Sequence, residues 1–151
     1  MGIVPMKEED MVPPEKVSDG SPEGVKAKLS MLLSSGSIVP NSWVREESMI
    51  NTSVGAKEAL YQAADALNED SVGDLQLARL EVIRPSIPVL LVWGEDDSWT
   101  PIEMGFRAQQ AIPRAELAVM KNCGHAPYFE NPEEFAEIVR HFIDFEKKDE
   151  V

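Results

Sequence analysis

Cysteine, histidine and basic charge are all scarce in this chain. One cysteine, Cys123, and two histidines, His125 and His141, occur among 151 residues. A single thiol closes no intrachain disulfide, so nothing points to an oxidising compartment. Lys and Arg number 14 against 27 Asp and Glu, a formal charge of −13. Nucleic acids and anionic membrane surfaces bind basic footprints, and this balance excludes both as natural partners. No apolar run approaches the roughly 20 residues of a membrane span. The opening MGIVPMKEED turns acidic, unlike the apolar stretch of a secretory signal. Met6 also stands where a myristoylation signal needs Ser or Thr. A soluble, cytoplasmic, acidic protein is the expectation.

The apolar fraction of 43% permits a core, and the length suits one domain of ordinary size or parts of two. Residues 1–24 carry Pro5, Pro13, Pro14, Gly20, Pro22 and Gly24, the composition of an irregular arm or linker. From Val25 the pattern is helical. Val25, Leu29, Leu32 and Leu33 share a face, and SSGS at 34–37 ends it. A second helix is predicted over 41–51, with Trp43, Val44 and Ile50 apolar. In GAKEALYQAADALNED, Ala56, Ala59, Leu60, Ala63, Ala64 and Leu67 recur at helical spacing. Leu75 to Val82 reads as one more short helix. Residues 25–82 are therefore expected to be all-helical.

The character changes after residue 83. IPVLLVWG is a continuous apolar run closed by glycine, the signature of a strand buried on both faces. TPIE follows, with Thr100 as N-cap, Pro101 at the first helical position and Glu103 completing a capping box. AELAVM is a second strand. NPEEF repeats the helix-start chemistry with Asn131, Pro132 and Glu134, and Phe135, Ile138, Val139 and Phe142 form the stripe of a last helix. Strand, helix, strand, helix predicts an α/β unit whose two strands lie parallel, joined by a right-handed crossover.

Ligands of open parallel sheets bind beyond the carboxyl ends of the strands. Two loops leave such ends here, GEDDSWTP and KNCGHAP. Neighbouring strands would bring Asp96 or Asp97 beside His125. A carboxylate beside a histidine fixes the imidazole tautomer and stabilises its protonated form, which is the orienting half of a charge-relay site.

PVLLVWGEDDSWTP, followed by IPRAELAVMKNCGHAPYFENPEEFAEIVRHFIDF, resembles the C-terminal part of the α/β-hydrolase fold over about residues 83–145. The family's acid stands three residues after a strand-ending glycine and four before a proline; Asp97 fits between Gly94 and Pro101, and Asp96 is one residue early. The family's catalytic histidine follows a glycine after the last strand, as His125 does. Residues 25–82 resemble the family's cap domain more loosely. The resemblance implies Asp97 and His125 as catalytic residues, hydrolysis of ester, lactone or carbon–carbon bonds, a small-molecule substrate, and no metal or organic cofactor. It also implies a nucleophile and an oxyanion loop placed before the acid in chain order. No G-x-S-x-G occurs, and neither histidine precedes a glycine. The chain thus reads as a partial α/β-hydrolase fold: a truncation, an incomplete reading frame or one part of a split enzyme.

Meta-cleavage-product hydrolases are similar in cap spacing and in CGH. They carry a cap arginine and a tryptophan after the histidine where Ser53 and Ala126 stand here, which favours a broader ester-type or unassigned substrate. The non-catalytic alternative is a binding or regulatory fragment that self-associates or pairs with an intact hydrolase. Among the remaining candidates, His141 reads as a rim residue of the last helix and Cys123 as a small buried hydrophobe. Glu130 reads as a structural residue of the histidine loop. Trp99, Met104 and Phe106 read as packing residues, whereas Trp43 and Tyr61 fit packing or a pocket equally well. Asp96 and Asp97 lack the further ligands of a metal site.

Overall fold

The computed structural model describes residues 11, 13–68, 87–112 and 114–149. A first helical turn, α1 (Pro14–Val17), leads into α2 (Pro22–Leu32). The second helix opens at Pro22, ahead of the expected Val25. Ser21 is its N-cap and accepts a hydrogen bond from the Gly24 N–H, and proline at the first helical position needs no amide partner. Next come α3 (Asn41–Asn51) and α4 (Ala56–Leu67), where the sequence pattern places them.

Val25 and Leu29 of α2 bury against Val44 of α3, with Leu32, Val39 and Trp43 packed around them. Lys28 and Glu47 pair across the same two helices. The stripe of α4 is narrower than its sequence suggests. Ala64 is buried and Ala56 and Leu60 are half-buried, while Ala59 and Ala63 face solvent, because among the described residues this helix packs mainly on α1 and α3. Ile50, expected in the apolar face of α3, is exposed, and Asn51 is buried instead. The expected short helix at Leu75 to Val82 lies outside the described residues.

Strand β1 (Leu90–Gly94) pairs in parallel with β2 (Glu116–Met120), Leu90 opposite Glu116 and Gly94 opposite Met120. Helix α5 (Ile102–Ala111) connects them. Met104, Ala108, Ile112, Met120 and Cys123 form the core of this half. Then α6 (Pro127–Glu130) makes one turn, and α7 (Pro132–Asp149) closes the described chain. Asn131 caps α7 by accepting from the Glu134 N–H at 3.3 Å. The Glu134 carboxylate answers on the Asn131 side-chain amide at 2.6 Å. This is a reciprocal cap between side chains, a variant of the expected box.

Two expectations are corrected. Leu90 to Trp93 are half-buried, not enclosed on both faces, because the described sheet has two strands and β1 has a neighbour on one edge. Thr100 is not the N-cap of α5. That place falls to Pro101, with no side-chain cap, because the Thr100 hydroxyl is engaged by Asp97. Among the described residues, no helix is long and apolar enough to cross a membrane.

A half-covered two-stranded sheet contributes little independent stability, and an open strand edge invites association. Urea unfolding of the purified 151-residue chain is therefore expected to begin at low denaturant, with a broad transition that shifts with protein concentration. A steep, concentration-independent transition worth several kcal/mol would contradict this.

Candidate active site

The parallel ladder continues past the strand ends into the two loops. The Glu95 N–H donates to the Met120 carbonyl and the Asp96 N–H to the Cys123 carbonyl, both at 2.9 Å. Gly94 permits this closeness, since any Cβ there would strike the Cys123 and Gly124 carbonyls. The Trp93 indole N–H donates to the Thr100 carbonyl at 2.8 Å and ties the far end of the acid loop to its own strand.

Asp97 is thereby held at the floor of the loop, its side chain 4% exposed. Its Oδ1 accepts from the Trp99 and Thr100 N–H groups, each at 2.9 Å. Its Oδ2 accepts from the Thr100 hydroxyl at 2.6 Å and faces His125 Nδ1 at 2.9 Å. A carboxylate only accepts, so Nδ1 carries the proton. That tautomer leaves Nε2 as the basic nitrogen. The His125 side chain is 38% exposed, and among the described residues no hydrogen bond engages Nε2. Thr100 Oγ1 lies 3.1 Å from Nδ1 and completes a triangle with the pair.

Burial pushes the Asp97 carboxyl up, but hydrogen bonds from His125 and Thr100, and the charge of a protonated His125, outweigh it and leave the pKa lowered. The acid therefore stays ionised and oriented at neutral pH.

The helical segment completes the geometry. The His125 N–H donates to the Leu32 carbonyl at 2.6 Å, and the Ser98 hydroxyl donates to the Met31 carbonyl at 2.8 Å. A Cβ on Gly124 would lie 2.6–2.7 Å from the backbone of Leu32, Leu33 and Ser34, so glycine before the histidine lets the end of α2 rest on the loop. Trp43 packs against the α2–α3 core and meets Phe129 of α6 with ring centroids 4.4 Å apart and planes tilted by 52°.

The other candidates separate from the pair. Asp96 is exposed and meets the histidine loop through its backbone N–H. His141 lies on α7 in a groove with Leu90, Ala118 and Ile138. Cys123 is buried, and burial together with nearby Glu130, Glu134 and Asp96 pushes its thiol pKa up, which leaves it protonated and unreactive. Met104 is core, whereas Phe106 is exposed. Trp99 lines a cavity of about 260 Å³ with Ala27, Met31 and Lys28. Among the described residues, no cluster of three or more metal-ligating side chains occurs.

Thr100 is the site residue that the sequence pattern misassigns. D-x-x-T is the signal that could have found it, since Asp side chains bond backbone and hydroxyl groups two and three residues on.

Residues 11–138 match the alpha/beta hydrolase family. The chain belongs to that family. It is 34% identical over 58 residues to a 2-hydroxy-6-oxononadienedioate/2-hydroxy-6-oxononatrienedioate hydrolase of Pseudomonas sp, covering 38% of this chain and 20% of the relative. It is 33% identical over 90 residues to a pimeloyl-[acyl-carrier protein] methyl ester esterase of Neisseria meningitidis, covering 60% of this chain and 33% of that protein. The fold is similar to a meta-cleavage product hydrolase from Pseudomonas fluorescens IP01, with a TM-score of 0.69 and 21% identity, over 95% of this chain and 54% of that one. A serine hydrolase involved in carbazole degradation gives a TM-score of 0.63 at 21% identity, over 96% and 52%. The chain thus spans about half the length of these solved structures and a smaller share of the curated relatives.

A lowered folded-state pKa contributes stability that is present above the ordinary carboxylate value and lost as pH falls through the lowered one. Wild-type stability is therefore expected to hold down to about pH 4, near the ordinary Asp value of 3.8, and to fall below it. Asp97→Asn should be less stable at neutral pH and show a shallower acid limb in pH-dependent thermal melts. Parallel acid limbs in the two proteins would contradict the assignment.

Proposed function

We propose that this chain supplies the acid and the base of a hydrolase site whose nucleophile lies on a segment other than these 151 residues. Asp97 orients His125. Nε2 of His125 takes the proton of a nucleophilic hydroxyl, or of a water in the variant with an aspartate nucleophile, and later returns a proton to the leaving group. The observation that carries this reading is the 2.9 Å contact between His125 Nδ1 and a buried, fully hydrogen-bonded Asp97. The paired carboxylate stabilises the imidazolium formed in the first step. No residue of the pair requires a metal or organic cofactor for this chemistry.

The relatives include a methyl ester esterase and a hydrolase of 2-hydroxy-6-oxononadienedioate and 2-hydroxy-6-oxononatrienedioate. Ser53 and Ala126, standing where an arginine and a tryptophan would favour carbon–carbon cleavage, tip the substrate class toward small esters or lactones. The non-catalytic alternative, a fragment pairing with itself or with an intact hydrolase, draws support from β1 having a strand on one edge alone among the described residues.

Hydrolysis of a short p-nitrophenyl ester tests the proposal. The 151-residue chain alone is expected to match buffer, for wild type and His125→Ala alike. Co-refolded with an N-terminal α/β-hydrolase segment bearing G-x-S-x-G, wild type should turn over substrate. His125→Ala should then lose about a thousandfold or more. Complemented activity indifferent to His125, or activity of the chain alone that depends on it, would overturn the reading.

A further inference from the structure

Glu130 sits five residues after His125, and its hydrogen bonds go to neither the imidazole nor Asp97. Its carboxylate is nonetheless divided between two segments. Oε1 accepts from the Gly124 N–H at 2.6 Å, one residue before His125. Oε2 accepts from the Ser34 N–H at 2.7 Å and the Ser37 hydroxyl at 3.1 Å, both in the turn after α2. Short N–H bonds to a carboxylate are the strong, charge-assisted kind. Burial raises the Glu130 carboxyl pKa, but these donors outweigh it and leave it lowered, so the group is ionised at neutral pH.

The end of α2, just before that turn, carries the other supports of the pair. Leu32 accepts from the His125 N–H, and Met31 accepts from Ser98 beside Asp97. Gly124 lies directly on the Leu32–Ser34 backbone. We propose that Glu130 is a positioning residue: it locks the turn 31–37 of the helical segment onto the histidine loop and so holds His125 in register with Asp97. The helical segment then bears directly on the orientation of the acid–base pair. The inference rests on Asp97 and His125 being the acid and base proposed above.

The test is NMR of the full chain, with Glu130→Gln as the variant. Glutamine has one acceptor oxygen, and its NH2 must face either Gly124 or Ser34, where it meets another donor. In wild type at alkaline pH, the two ring nitrogens of His125 should give well-separated ¹⁵N signals, the pattern of one tautomer. In Glu130→Gln they should converge as both tautomers populate. Deuterium exchange at the His125 amide, which Glu130 does not touch, should accelerate about tenfold. His141 serves as internal reference and should not move. Should Glu130→Gln fail to fold, Ser37→Ala carries the test: it removes one exposed arm of the clamp and should accelerate exchange at the His125 amide about twofold.

Unchanged His125 ring signals and amide exchange in a folded Glu130→Gln protein would overturn the inference. So would an unchanged His125 amide in Ser37→Ala. Neither readout involves turnover. Loss of the clamp therefore leaves the proposed reaction standing, and failure of complemented hydrolysis leaves the clamp standing.

Discussion

Everything at the site follows from how closely the loops beyond β1 and β2 approach one another. Two backbone hydrogen bonds, Glu95 to Met120 and Asp96 to Cys123, extend the ladder past the strands, and Gly94 removes the Cβ that would hold them apart. Once the loops touch, Asp97 is enclosed and must find donors. It finds four, from Trp99, Thr100 twice and His125. A buried carboxylate is tolerated only when its acceptors are filled, so the burial of Asp97 and the tautomer of His125 are one arrangement.

The helical half takes part in that arrangement. The end of α2 supplies carbonyls to the His125 N–H and the Ser98 hydroxyl, and Glu130 returns a carboxylate to its next turn. Apolar contact between Trp43 and Phe129 backs the polar contacts from the side. A few short hydrogen bonds, each modest in water, are worth more where backbone groups are partly buried and cooperate.

The periodic elements were legible in the sequence because their signals are local. Apolar spacing placed α3, α4, β2 and the stripe of α7, whereas Asp97 was singled out over Asp96 through the resemblance to the family's glycine, acid and proline pattern. Burial was less legible, because it depends on what covers an element. IPVLLVWG reads as enclosed, yet its strand is half-buried beside one neighbour. Thr100 was misread for a different reason. Threonine before proline and a helix has two uses for its hydroxyl, and a buried carboxylate three residues earlier wins over the helix end. Glu130 was legible as structural, but its reach to Ser34, ninety-six residues away in sequence, leaves no trace in any local pattern.

This chain by itself holds an ionised Asp97 against the Nδ1–H of His125. Neutron diffraction from crystals of the chain at alkaline pH tests this most directly. The expected result is a deuteron on His125 Nδ1 pointing at Asp97 Oδ2, with the two atoms near 2.9 Å and Nε2 bare. A deuteron on Nε2 with Nδ1 turned away from Asp97 would contradict it.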